Sequence, residues 1–180
     1  ARGIQKSGKE FKFYAPWPVP LPREGRTPEY IQIWKNAFRA FQAHFDEHPA
    51  WSKTRLLVYF LSLDEAYDDV ARERMFFYGQ MLKDADTPRL EYRVDGGYPK
   101  ETMNRLAKIL DVAILGLGSW EESGVEEIHK QGVEPWFYTG AAITDGDGLN
   151  GRSLSWIAWK LRAKSWTLWE LDFNSLRAWQ

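Results

Sequence analysis

The 180-residue chain contains no cysteine. Disulfide bonds, thiolate metal ligands and cysteine nucleophiles are therefore excluded. The compartment stays open on this ground, with secretion or a periplasmic location slightly preferred. Histidine is almost as scarce: the three present, His44, His48 and His129, show no metal-ligand spacing and read as surface or packing residues. No apolar run approaches the roughly 18 residues of a membrane span. Residues 1–10 are polar and carry no apolar signal segment; they read as a loose end, and the start at Ala1 reads as a processed or excised one. Neither sign of charge dominates, since 24 Lys and Arg face 25 Asp and Glu for a net charge of -1. Nucleic acid or an anionic surface would need a local basic patch, and Arg72, Arg74 and Lys83 are interleaved with acids and apolar residues instead. No phosphate-binding glycine loop and no nucleophile elbow is present, so nucleotide chemistry is not expected. No cofactor and no metal site is expected either. Asp145 and Asp147 sit in a Thr-Asp-Gly-Asp-Gly stretch that lacks the remaining positions of a calcium loop.

What is abundant is aromatic surface: ten Trp, eight Tyr and ten Phe. Large rings fill cores. They also cover the C–H face of a sugar ring, while indole N–H and phenol O–H groups meet its hydroxyls. Composition alone leaves both readings open.

Patterning along the chain is more decisive. Phe11–Ala15 alternates and reads as a strand, and prolines 16, 18, 20 and 22 make the following stretch a loop. Residues 1–27 form a segment of strand and proline-rich loop, and 28–180 form the main body. Thr27 caps a helix over 28–47, with Pro28 in its first turn and Ile33, Trp34, Ala37, Phe38, Phe41 and Phe45 at helical spacing. Residues 55–63 are an almost unbroken apolar run, as in a strand covered on both faces, and Asp64-Glu65 follow it. A helix over 66–84 buries Val70, Met75, Phe77, Tyr78 and Met81. Strands at 89–94, 112–117, 135–139 and 165–171 then alternate with helices at 100–110, 125–131 and 149–162. Six strands in this rhythm predict an α/β fold with a parallel sheet, incomplete against the eight strands of a (β/α)8 TIM-type barrel.

In such folds ligands bind at the C-terminal ends of the strands. Asp64, Glu65, Asp95, Trp120, Thr139, Glu170 and Asp172 fall there. Asp64-Glu65 is the sharpest candidate, because adjacent carboxylates after a buried strand repel each other and raise at least one pKa, as a general acid requires. The bland alternative is that Glu65, Asp68 and Asp69 favour a helix N-terminus. Asp95 precedes Gly96-Gly97 and also fits a turn. Glu170 lies between Trp169 and Leu171, where it could face Glu65 in a two-carboxylate mechanism.

Three stretches, in order, resemble glycoside hydrolase family 123 and its relatives of unassigned function. They are Leu61-Ser62-Leu63-Asp64-Glu65, Pro135-Trp136-Phe137-Tyr138-Thr139-Gly140, and Gly151–Lys160 with its Arg152, ahead of Ser165–Glu170. The family often has Pro after Asp-Glu, where this chain has Ala66-Tyr67. The resemblance spans roughly residues 28–175 and implies the C-terminal part of a catalytic (β/α)8 barrel. It further implies β-N-acetylgalactosaminidase-like cleavage of 2-acetamido sugars with retention, assisted by the substrate's own acetamido group. Glu65 would then be the general acid/base and Asp64 would stabilise the acetamido group. Tyr138, Trp136, Trp169, Asp95, Trp120, Arg152 and Glu170 would line the sugar site. The implied partners are a glycan substrate and the N-terminal barrel segment or a partner subunit. A non-catalytic carbohydrate-binding or surface-assembly protein on the same fold is the alternative from another class.

Overall fold

A computed structural model describes residues 4–6, 9–11, 26–60, 66–116, 119–120, 124–139 and 148–168; side chains at 4–6, 9–11, 148–152 and 168 are not described. The chain divides into two units, one from residues 1–52 and 59–87, the other from 53–58 and 88–180.

The first unit contains strands β1 (Ile4–Lys6) and β2 (Lys9–Phe11), helix α1 (Pro28–Asp46), a 3-10 turn (Pro49–Trp51) and helix α2 (Asp69–Lys83). Thr27 accepts the Tyr30 N–H at 3.2 Å and Pro28 occupies the first turn of α1, as the sequence predicts. Asp68 caps α2 by accepting from Ala71 N–H at 2.8 Å. Trp34 and Phe38 of α1, Phe60, and Tyr78 of α2 form one aromatic cluster with ring centroids 5.2–6.4 Å apart. Edge-on and tilted contacts of this kind suit the ring quadrupoles. The Tyr30 and Tyr78 hydroxyls meet at 2.9 Å.

Three expectations are corrected here. Ile33, Phe41 and Val70, expected on buried faces, are 67%, 49% and 56% exposed, and Ala37 of the same α1 stripe is exposed as well. The buried stripe of α1 runs through Trp34 and Phe38, and Ile33 stands about 100° round the helix from Trp34; Val70 lies in the first turn of α2, before its buried residues begin at Met75. Residues 1–10, expected to be loose, contain β1 and part of β2, paired antiparallel as Ile4 with Phe11, Gln5 with Glu10 and Lys6 with Lys9. The strand expected at Phe11–Ala15 is therefore not the first strand of the parallel sheet: Phe11 ends a two-stranded hairpin, and residues 12–15 lie outside the described residues.

The second unit holds strands β3 (Leu56–Val58), β4 (Leu90–Asp95), β5 (Val112–Gly116), β6 (Glu134–Thr139) and β7 (Ser165–Leu168), with helices α3 (Lys100–Leu106), α4 (Val125–Lys130) and α5 (Gly148–Lys160) between them. The five strands pair in chain order, all parallel, in a curled half-barrel sheet; six were expected. Val112–Leu115 of the central strand are buried throughout, which accounts for their unbroken apolar run. In β4 the residues alternate: Leu90, Tyr92 and Val94 are buried, while Glu91, Arg93 and Asp95 are half-buried.

Asp111 ties the start of this sheet together. Its carboxylate accepts the Tyr92 N–H at 2.7 Å, and its carbonyl accepts the Glu134 N–H at 2.8 Å. Replacing Asp111 with Ala leaves the N–H of the fully buried Tyr92 without that acceptor. The expected loss is about 1–3 kcal/mol in denaturant unfolding, with the m-value unchanged.

Candidate functional site

Register determines which side chains share a face. In adjacent parallel strands, paired residues point the same way. Arg93 pairs with Val112 and Val112 with Glu134; Asp95 pairs with Ile114, Ile114 with Trp136 and Trp136 with Ser165; Gly116 pairs with Tyr138 and Tyr138 with Thr167. One face of the sheet therefore carries Glu91, Arg93 and Asp95 from β4, the buried Val112 and Ile114 and then Gly116 from β5, and Glu134, Trp136 and Tyr138 from β6. The opposite face carries Leu90, Tyr92, Val94, Leu115 and Phe137, all buried.

Two ion-pair groups organise the charged face. Near the N-terminal ends of the strands, Arg55 donates from Nε to both Glu91 oxygens at 3.0 and 3.1 Å, from Nη2 to Glu91, and from Nη1 to Glu134 Oε1 at 2.8 Å. The Trp136 indole N–H donates to the same Glu134 oxygen at 2.5 Å, and the Arg55 guanidinium stands 5.8 Å from the centre of its ring. At the C-terminal end of β4, Arg93 grips Asp95 with two bonds, from Nε at 2.8 Å and from Nη2 at 2.5 Å. This fork geometry fixes the carboxylate.

Past Asp95 the backbone turns through Gly96 at φ +117°, and the Tyr98 hydroxyl donates to the Asp95 carbonyl at 3.0 Å. A Cβ on Gly97 would fall 2.0 Å from the Ser119 side chain, so the loops after β4 and β5 touch there. Ser119 also donates to the Gly116 carbonyl at 3.2 Å. The Tyr138 ring leans over Gly116, 3.6 Å from where a Cβ would stand. The arrangement offers a ring wall, a phenol and an oriented carboxylate to a polar ligand with apolar patches.

Of the residues singled out by sequence, the structure brings Asp95, Trp136 and Tyr138 to this one face. Asp95 and Trp136 are two strands apart, about 9–10 Å by ordinary strand spacing. Trp120 goes elsewhere: it is 7% exposed and packs edge-on against Phe137, on the opposite face. Asp64, Glu65, Trp169, Glu170, Asp172, Asp145 and Asp147 lie outside the described residues, as does the side chain of Arg152, whose backbone belongs to α5. His44 and His48 stand 4.8 Å apart at the end of α1, with His48 stacked on Trp51. Among the described residues no group of three or more His, Asp or Glu is placed to hold a metal ion, and no helix is long and apolar enough to cross a membrane.

The sequence reading missed Arg55, Glu91, Arg93 and Glu134. For Glu91 and Arg93 the signal was present: in Leu-Glu-Tyr-Arg-Val-Asp every second residue is charged, which marks one face of a strand.

Burial raises the Glu134 carboxyl, but hydrogen bonds from Arg55 and Trp136 and the charges of Arg55 and Lys164 outweigh it and hold the group below its ordinary 4.5. A depressed carboxyl stabilises the fold above its unfolded pKa, and this contribution is lost as pH falls through the folded value. Wild-type stability measured from roughly pH 5 to pH 2 should therefore fall more steeply than that of Glu134→Gln. Parallel curves would show that the Arg55 pair adds nothing.

The chain matches no protein-family model, no curated protein and no solved structure, so its functional reading rests on this face of the sheet.

Proposed function

We propose that the chain is the C-terminal portion of a (β/α)8 glycoside hydrolase barrel acting on 2-acetamido sugars. The observation that carries this reading is the convergence of Asp95, Trp136 and Tyr138 on one face of a parallel sheet, with Asp95 and Tyr138 toward the strand C-termini. That edge is where parallel α/β folds bind ligands. Ring faces beside a fixed carboxylate and a phenol suit a pyranose, whose C–H patches alternate with hydroxyls.

In the proposed reaction the substrate's acetamido oxygen attacks the anomeric carbon. The glycosidic C–O bond breaks, and Glu65 gives its proton to the leaving oxygen. Asp64 holds the acetamido N–H and stabilises the oxazolinium formed. Glu65 then takes a proton from the water that opens this intermediate, which restores the acetamido group with net retention. Trp136 and Trp169 form the wall, Tyr138 and Asp95 meet polar groups, and Arg152 and Glu170 complete the sugar's surroundings. Strands β3 and β7 stand at the two edges of the sheet order; an N-terminal barrel segment or a partner subunit would pair with them.

One observation favours the non-catalytic alternative. Glu91, Asp95 and Glu134, the carboxylates of the charged face among the described residues, are each paired to arginine. Carboxylate oxygens occupied by guanidinium donors are poorly placed to protonate a leaving group, while their remaining lone pairs can accept from hydroxyls. Calorimetric binding of a 2-acetamido sugar without product after long incubation would establish that reading.

The deciding assay compares aryl β-glycosides bearing a 2-acetamido or a 2-hydroxyl group, with this chain and with an N-terminally extended protein. The expected result is cleavage of the acetamido sugar alone, reduced about 10²-fold or more in kcat by Glu65→Gln. Equal cleavage of both sugars overturns substrate assistance, and undiminished activity of Glu65→Gln overturns the assignment of Glu65. Trp136→Ala should raise KM about ten-fold with little change in kcat, because a stacking wall binds ground and transition states alike.

A further inference from the structure

The sequence reading found no metal-ligand spacing among the three histidines, yet His44 and His48 are four residues apart and the fold brings their rings together. His44 lies in the last turn of α1, and His48 opens the 3-10 turn at Pro49–Trp51. The backbone holds the second position: His48 N–H donates to the Phe45 carbonyl at 3.2 Å, and Trp51 N–H donates to the His48 carbonyl at 2.8 Å.

The His48 ring is fixed on two sides. It stacks on Trp51 with centroids 4.2 Å apart and planes 16° from parallel, and its Nδ1 stands 2.7 Å from the His44 carbonyl oxygen. A carbonyl only accepts, so the proton of the neutral ring is on Nδ1 and the lone pair is on Nε2. An N–H donated to a backbone carbonyl is the support that metal-binding imidazoles ordinarily have, since it sets both tautomer and ring direction. Among the described residues, neither ring nitrogen of His44 nor Nε2 of His48 has a hydrogen-bond or ion-pair partner.

The two ring centres are 4.8 Å apart, with planes inclined at 56°. For imidazole–metal bonds of about 2.1 Å, and a nitrogen about 1.2 Å from its ring centre, two rings sharing one ion at about 90–110° have centres about 4.7–5.4 Å apart. The observed separation falls in that range. His44 is exposed and His48 half-buried, so an ion with its water ligands can reach the pair. The end of α1 adds attraction for a cation, because its last carbonyls carry the negative end of the helix dipole.

We propose that His44 and His48 form a two-histidine site for a divalent late transition-metal ion of the zinc, nickel or copper type, with water in the remaining positions. Imidazole suits these ions, whereas magnesium and calcium take oxygen ligands. The bound ion joins the last turn of α1 to the turn that follows it. The site is independent of the glycosidase reading.

The test is an NMR titration of the histidine ring signals of the 180-residue chain with zinc chloride, against magnesium chloride at equal ionic strength. The expected result is saturable shifts of His44 and His48 along one binding curve, with His129, whose Nδ1 faces the Val133 carbonyl, unmoved. Affinity should fall about ten-fold or more in His44→Gln and in His48→Gln, and stay unchanged in His129→Gln. Paramagnetic nickel should broaden the Trp51 indole N–H signal ahead of those of the other tryptophans, since Trp51 lies against His48. Absence of a saturable shift overturns the site, as do equal shifts from magnesium and broadening centred on another tryptophan. Loss of affinity in only one of the two variants overturns the shared ion and leaves a single imidazole ligand. Should His48→Gln unfold for want of its stack on Trp51, His44→Gln and the nickel broadening decide.

Discussion

The arrangement of the second unit depends on the parity of a parallel register. With β4, β5 and β6 paired in step, every even displacement along a strand returns to the same face and every odd one crosses the sheet. A slip of one residue in β6 would exchange Trp136 and Tyr138 for Phe137, placing a fully buried ring among charges. Arg55 opposes such a slip from outside the backbone ladder. It binds Glu91 and Glu134 at once, across the intervening β5, so the register of β6 is pinned by side chains as well as by amides.

This parity explains what was legible in the sequence. Leu90–Asp95 writes its two faces out in alternation, and Pro135–Thr139 places Trp136 and Tyr138 two residues apart. The α1 cap was readable because Thr27-Pro28 is a local signal whose partner, the Tyr30 N–H, is three residues away. Trp120 follows the end of β5, where no period fixes direction, and nothing local pointed it toward Phe137. The Arg55–Glu134 pair joins residues 79 positions apart, and pairing over that distance leaves no mark in either neighbourhood. The hairpin of β1 and β2 is three residues to a strand and mostly polar, too short for a period of two to stand out.

The aromatic surplus resolves along the same lines. Trp34, Phe38, Phe60 and Tyr78 fill the first unit, and Tyr92, Tyr98, Trp120 and Phe137 are buried in the second. In these places the rings supply apolar area, and geometry between them is secondary. Trp136 differs because its one donor is already committed to Glu134. That leaves its ring face, and not its N–H, as the surface it can present.

The contact between Gly97 and Ser119 has a mechanical consequence. The two loops that leave β4 and β5 interlock where one residue has no side chain and the other has a small one. A substitution at position 97 would act as a wedge, felt first at Ser119 and then, through its bond to the Gly116 carbonyl, at the strand beneath the Tyr138 ring.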